Sequence, residues 1–455
     1  MHTLVLSDIH LGNGKGYDIF SGEAVLPVTL AAAAAQRTSV VLNGDTFDFL
    51  MNEDPLDLSV DQAVAQAQAI VCHPPSAAAL AGLGAVLAAG GKVEIRLGNH
   101  DAELALRAVQ EVFRGALGQP PEVAARLVFT RGDAPGLLQL NGVKILLAHG
   151  EQNDNWNKLD WANLDEEGTR SGKFRYPAGS RLVKTLLNPL KARFKMRFAD
   201  LLKPDMEGGV LTVLAVDSNA LSLVFQGSTL RLLYQLFRSM DEPVSFGPDE
   251  VEPDLGLQES LEAAGLTEEE ISMIKAEVDP DAIQSFGMVG DMLGAVKLKL
   301  LRKGLSLYAA TQRKLAGTTG DSFFDLAPDD AEWGEASRLA TTHHSADAVV
   351  LGHTHAARFR SEPGLTYVNT GTWIYLMRLS GADAPVEAWE EFLSQCRKNP
   401  ELDPKLGPCP ALISRPTGLV IDPDPAGGVH MQLLEFSVNG STVLAEGHVG
   451  ARAAH

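Results

Sequence analysis

The strongest constraint on this chain is a rhythm of short apolar runs, each closed by a cluster of glycine with aspartate, asparagine or histidine. Thr3–Leu6 runs into Asp8-Ile9-His10, Val40–Leu42 into Gly44-Asp45-Thr46-Phe47-Asp48, and Val93–Leu97 into Gly98-Asn99-His100-Asp101. Val143–Ala148 ends at His149-Gly150, and Ala348–Leu351 at Gly352-His353-Thr354-His355. Such short runs, rich in Val, Ile and Leu, favour buried strands over helices. Helix-like stretches, Asp61–Val71, Ser76–Ala89 and Ala102–Phe113, lie between them. Strands alternating with helices predict an α/β fold. In open α/β sheets, the loops just beyond the carboxyl ends of strands converge on one crevice. Five strand exits would therefore deliver Asp8, His10, Asp45, Asn99, His149, His353 and His355 to one place.

With 455 residues and 45% hydrophobic content the chain can bury a substantial core, which argues against global disorder. The strand rhythm stops at Gly150 and resumes near Ala346. Residues 1–150 and 345–455 are therefore expected to form one catalytic domain, and 151–344 an inserted, mainly helical cap or subdomain. The insert is electrically lopsided: from Arg170 to Lys203 there are ten Lys/Arg against one acidic residue, Asp200, and from Asp241 to Asp281 acids dominate. Thr267-Glu268-Glu269-Glu270 is a capping box ahead of an amphipathic helix. Toward the end, Leu419–Ile421, His430–Val438 and Ser441–Ala445 are expected strands returning to the catalytic sheet, with Asn439-Gly440 as a hairpin turn.

Cys72, Cys396 and Cys409 form neither a metal-ligand spacing nor an even-numbered disulfide framework, which suits a reducing compartment. Thr3–Leu6 leads straight into Asp8 and His10, so cleavage of a leader would remove the site, and Ala77–Ala89 is too short to span a bilayer. A cytoplasmic protein is expected. The net charge of −20 weighs against a generic nucleic-acid surface. The basic stretch 170–203 leaves open a contact with an anionic substrate or a peripheral position at the inner membrane surface. Leu190, Phe194, Phe198, Leu201 and Leu202 fall on one helical face there, with Lys191, Arg193, Lys195 and Arg197 around the rest. A helix with a solvated basic face is the plainer expectation.

The residue types point to a pair of divalent cations. Two dications side by side repel, so their site needs anionic ligands, supplied here by Asp8 and Asp45. Imidazoles and one amide oxygen complete the shells without overcharging them. Such mixed ligation suits Mn²⁺, Fe or Zn²⁺ better than an all-oxygen calcium cage or a thiolate zinc site. Gly44, Gly98, Gly150 and Gly352 flank ligands where a strand must turn sharply. His343-His344 reads as an exposed helix end, and His73, before Pro74-Pro75, has no partner cluster. Gly12 to Gly16 lacks the spacing of a phosphate-binding loop and reads as a rim of the site.

Taken in order, Asp-x-His, Gly-Asp-x-x-Asp, Gly-Asn-His-Asp, His-Gly and Gly-His-x-His resemble the calcineurin-like metallophosphoesterase superfamily, over roughly residues 1–150 and 345–375. Asn369-Thr370-Gly371-Thr372-Trp373 is similar to the segment after the last ligand strand in many bacterial members. The resemblance implies a two-sheet β-sandwich flanked by helices, a hydrolase of phosphomonoesters or phosphodiesters, and two divalent metals, manganese first. It implies that Asp8, His10, Asp45 and His355 hold one metal. It assigns Asp45, Asn99, His149 and His353 to the other, with Asp45 bridging. His100 would contact the phosphate and stabilise or protonate the leaving oxygen, oriented by Asp101, with Asp48 behind the ligands. A bridging hydroxide would attack phosphorus in line. The opening Ser7-Asp8-Ile9-His10-Leu11-Gly12 is similar to that of bacterial lipid-linked pyrophosphatases acting on UDP-diacylglucosamine. It is also similar to that of double-strand-break repair nucleases, although the insert resembles neither. A nuclease acting on DNA or RNA ends is disfavoured by the acidic balance. A non-catalytic scaffold of the same fold is disfavoured because every ligand position is filled.

Overall fold

Every residue of strand β1 (Thr3–Leu6) is buried, and the pairing explains why. It lies inside a sheet, parallel to β2 (Ser39–Asn43) on one edge and antiparallel to a C-terminal strand on the other. The computed structural model describes residues 2–203, 216, 323–378, 385–402 and 412–450. The chain divides into two compact units, residues 1–180, 324–375 and 414–455, and residues 181–323 and 376–413.

After β1 and β2 come β3 (Val93–Arg96), β4 (Leu127–Thr130), β5 (Gly136–Leu140), β6 (Val143–Leu147) and the two-residue β7 (Leu202–Lys203). Then follow β8 (Ala348–Leu351), β9 (Ala357–Glu362), β10 (Leu365–Thr370), β11 (Tyr375–Arg378) and β12 (Leu412–Ser414). The last three are β13 (Thr417–Pro423), β14 (Val429–Ser437) and β15 (Gly440–Val449). The first unit is α/β and holds two mixed sheets, one of seven strands in the order β15-β14-β13-β1-β2-β3-β4 and one of five in the order β5-β6-β8-β10-β9. They share one core. Val5, Val41, Leu419, Ile421, Met431 and Leu433 of the first meet Ile145, Leu147, Val350 and Val368 of the second. Each such fully buried aliphatic side chain contributes about 1.5–3 kcal/mol.

Helices cover the sheets. The helix Asp330–Thr342 packs Ala336, Leu339 and Ala340 against Leu146, Val349 and Tyr367 of the five-stranded sheet. It starts in a full capping box between Asp329 and Glu332. Helices α1 (Val25–Ala35), α2 (Val60–Cys72) and α3 (Pro74–Ala88) fall where alternation requires crossovers between parallel strands. No single helix among the described residues is long and apolar enough to cross a membrane.

Several expectations shift. The helix expected over Ala102–Phe113 is a 3₁₀ turn, Ala102–Ala105, followed by Arg107–Gly115, because Leu106 between them is extended. The hairpin turn lies one residue earlier than Asn439-Gly440: Ser437 pairs with Gly440, so Val438 and Asn439 make the turn. Residues 151–180 and 324–344, assigned by sequence to the insert, cluster with the first unit, and 376–413 with the second. The reason is visible in the contacts. Tyr176 donates to Glu103 at 2.5 Å, Arg131 donates to the Leu164 carbonyl at 2.9 Å, and the helix Asp330–Thr342 packs on a sheet.

The basic stretch is not one amphipathic helix. A π turn, Val183–Leu187, leads into the helix Asn188–Phe194, and Lys195 ends it with a left-handed backbone at φ 60°. Lys191 is buried in an ion pair with Asp200 at 2.8 Å, while Arg193 and Lys195 remain exposed. The capping box at Thr267 and the acidic run 241–281 lie outside the described residues.

Candidate metal centre

Strand order brings the candidate ligands to one end of the first unit. Asp8 and His10 follow β1, Asp45 follows β2 and Asn99 follows β3, three strands adjacent in the seven-stranded sheet. His149 follows β6, and His353 and His355 follow β8, its neighbour in the five-stranded sheet. The exits are tied to one another through the backbone. The Asp8 N–H donates to the Gly44 carbonyl at 3.1 Å, and the Gly352 N–H to the His149 carbonyl at 2.9 Å. The buried Trp373 donates its backbone N–H to the Asp8 carbonyl at 3.0 Å and its indole to the Thr417 carbonyl at 2.8 Å.

The turns are costly. Asp8, His10, Asp45, His353 and His355 all have positive φ, between 51° and 68°. A left-handed residue other than glycine costs roughly 1–2 kcal/mol, and such residues persist where surrounding structure over-determines them. Two glycines show how tight the cradle is. A Cβ on Gly44, at φ +94°, would sit 2.2 Å from His149 Nδ1, and one on Gly98 would sit 2.3 Å from Asp45 Oδ1.

Three groups of donors result, each with atoms close enough to share a cation: Asp8, His10 and His355; Asp45, His149 and His353; and His10, Asp48 and His100. In the first, His355 Nε2 stands 3.3 Å from Asp8 Oδ1 and 3.3 Å from His10 Nε2. In the second, His149 Nε2 stands 3.1 Å from Asp45 Oδ2 but off the line of a hydrogen bond. Asp45 Oδ2 also lies 3.9 Å from His10 Nε2, so this carboxylate faces ligands of both groups. Asn99 Oδ1 is buried with no hydrogen-bond partner. A buried acceptor left so costs about 1–3 kcal/mol. A hard cation would satisfy it.

Charge tells the same story. Burial pushes the Asp8 carboxyl up, but the charges of His149 and His355 outweigh it and hold the group down to about 2. Asp45 is likewise raised by burial and pulled well below the carboxylate range by His149, His100 and His10. Burial would keep His149 neutral, yet Asp45 and Asp8 raise it well above the usual imidazole value. The buried carboxylates are kept ionised by positive charge on imidazoles, a demand that a divalent cation meets without protons. The residues present fit such ions.

His100 carries the largest difference from the sequence reading. Its Nδ1 bonds to Asp48 Oδ2 at 3.1 Å, and the same oxygen bonds to His10 Nδ1 at 2.8 Å. Asp101, expected to orient it, instead accepts from the Gly98 N–H at 2.6 Å and the Thr46 N–H at 2.8 Å, which makes it a pin for the turns carrying Asn99 and Asp45. Burial and the charge of Asp45 push the Asp101 carboxyl up to about 7. His100 keeps 17% of its side chain exposed beside a carboxylate that is fully enclosed.

Six of the seven expected ligands and His100 thus come together, and Asn99 stands between Gly98 and His100, both of which lie against Asp45. Two residues near the centre were missed. Glu151 is fully buried, and burial drives its carboxyl up to about 8. Asp154 bonds to His353 Nε2 at 2.9 Å. Glu151 directly follows the His149-Gly150 cluster, which was the available signal; nothing local marks Asp154. Of the residues set aside, His73 bonds to the Gly12 carbonyl at 3.2 Å. His343 follows the last turn of the helix Asp330–Thr342, as a helix end should. No protein-family model matches the chain, and no curated protein matches it.

Proposed function

We propose that this protein is a metal-dependent phosphoesterase of calcineurin-like fold, hydrolysing a phosphomonoester or phosphodiester with two divalent cations, Mn²⁺ first and Fe or Zn²⁺ next. One is held by Asp8, His10, Asp45 and His355, the other by Asp45, Asn99, His149 and His353. The observation that carries the reading is the position of Asp45, one buried carboxylate within 3.9 Å of His10 Nε2 and 3.1 Å of His149 Nε2. A shared anionic ligand is what two adjacent dications require. Two sheets closing on one core agree with that fold. When bound, paired ions supply a nucleophile at neutral pH and charge stabilisation for phosphoryl oxygens.

The protein's own contribution follows from His100 and its supports. Asp48 accepts from His100 Nδ1, which fixes the ring and leaves Nε2 for other partners. As an imidazolium, carrying a proton on each nitrogen, His100 can donate from Nε2 to a phosphoryl oxygen and pass that proton to the departing alkoxide, leaving a neutral ring with its remaining N–H on Asp48. Asp101 and the glycine turns keep Asn99 and Asp45 in place without touching substrate.

The test is a turnover screen on metal-stripped protein supplied with Mn²⁺, over phosphomonoesters, diesters, nucleotides and DNA. Metal-dependent release of phosphate or alcohol supports the reading. Preference for DNA ends would make it a nuclease, and no turnover of any ester with two ions bound would refute it.

A further inference from the structure

His353 is held from two sides. Its backbone N–H donates to both oxygens of Asp8, at 3.1 and 3.0 Å. Its ring Nε2 meets Asp154 Oδ2 at 2.9 Å. Asp154 is itself fixed by donors that have nothing to do with metal. Its Oδ1 accepts the Trp156 N–H at 2.8 Å, and its Oδ2 accepts from Asn157 Nδ2 at 2.7 Å. Asn157 belongs to the same loop, which leaves His149 through Gly150, at φ +127°, and a 3₁₀ turn, Glu151–Asn153. This loop starts at one histidine of the second ligand group and returns a rigid acceptor to another.

We infer that Asp154 is a positioning residue for the second cation. It takes the proton on His353 Nε2, so the lone pair of Nδ1 is the one presented to the ion beside Asp45 and His149. The inference rests on the two-metal reading and adds a residue to it. A neutral imidazole has one N–H and one lone pair, and the partner of the first decides where the second points. Carboxylates in this position raise ligand basicity as well as fixing the ring, and losing one weakens metal affinity by roughly 10–100-fold. Asp154→Asn is the discriminating change. The amide oxygen can still accept the Trp156 N–H, so that bond of the turn is kept, but an NH₂ now faces His353 and also Asn157, whose own amide must turn over to accept it. The ring then accepts at Nε2 and carries its proton on Nδ1, the atom meant for the metal.

Two measurements on the full-length protein separate the possibilities. The first uses ¹⁵N-histidine labelling of metal-free protein to read the His353 tautomer directly. The Nε2–H form is expected in the parent and the Nδ1–H form in Asp154→Asn; the same tautomer in both would overturn the inference whatever the metal does. The second is calorimetric titration with Mn²⁺. Two sites are expected in the parent, and in the variant one site weakened roughly 10–100-fold with the other unchanged. Unchanged affinity at both sites, or equal weakening of both, would refute a role at the second ion. A parent that shows the expected tautomer but binds fewer than two ions refutes the two-metal reading instead.

Discussion

Replacing Asp48 with asparagine tests whether, on the proposed reading, this carboxylate acts through a proton donor at His100. The carboxylate accepts from His10 Nδ1 at 2.8 Å, His100 Nδ1 at 3.1 Å and the Leu50 N–H at 2.9 Å, all in a fully enclosed position. Each bond to a charged acceptor is worth about 1.5–3 kcal/mol, so the two imidazole bonds amount to about 3–6 kcal/mol. An amide oxygen facing the same rings recovers about half, since neutral bonds are about half as strong. The NH₂ then confronts the Leu50 N–H, and turning the amide over moves that conflict to the histidines. The net loss of about 1.5–3 kcal/mol corresponds to a fall in kcat of roughly 10–150-fold if it is felt in the transition state. The assay compares two esters of the same phosphate at saturating Mn²⁺, one with an alkyl alcohol and one with nitrophenol as leaving group. A good leaving group needs no proton, so the full loss should appear on the alkyl ester and only a few-fold loss on the nitrophenyl ester. Equal losses on both would show that Asp48 does not act through a proton donor at His100.

Three further outcomes are expected. His100→Ala should keep metal occupancy while lowering kcat roughly 10²–10⁴-fold, whereas Asp45→Ala should lose metal; elemental analysis and single-turnover rates separate the two, and equal metal loss would contradict the assignment. Metal-free protein should become less stable as pH rises from about 4 to about 7 through Asp101, whose carboxyl stands near 7 when folded against a usual 3.8. In that window the folded state holds a proton the unfolded chain has released, so Asp101→Asn should flatten the slope in denaturant titrations, and an unchanged slope would count against it. Neutralising the exposed Arg193 and Lys195 to glutamine should raise KM for a large anionic substrate in a salt-dependent way, leaving a nitrophenyl ester within a few-fold; no change on either would leave the basic stretch as solvated surface.

The candidate ligands were legible because each sits directly after an apolar run, where local sequence and strand termination coincide. The division of labour behind them was not. His100 and Asp101 are neighbours in sequence, yet the chain turns Asp101 inward to the Gly98 and Thr46 amides and leaves His100 to Asp48 from another strand exit. Adjacency along a loop says little about which side chains meet. Periodicity misled in the basic stretch, where apolar spacing suggested one helix but a left-handed Lys195 ends it and a 3₁₀ turn, Arg197–Asp200, follows. Asp154 left no trace, since an aspartate that accepts the N–H two residues on looks like any turn former. The compact units divide elsewhere than the expected limits for a related reason: residues 151–180 carry no strand but are tied to the first unit by Tyr176 and Arg131.

The separation between β1 and its partners has a consequence for how the protein comes into being. β1 is flanked by β2 and by β13, and the Asp8 carboxylate receives a bond from His353, 345 residues further along. A ribosome adding about 5–20 residues per second needs roughly 17–70 s to travel from one to the other. Throughout that interval Asp8, His10 and Asp45 are present without the histidines that complete their sets. On the proposed two-metal reading the nascent chain has the acidic half of each ligand set and neither set complete, and β1 has one edge open until β13 arrives. On that reading no cation can be fully enclosed before His353 and His355 have been made, so the choice of ion comes late in the making of the chain.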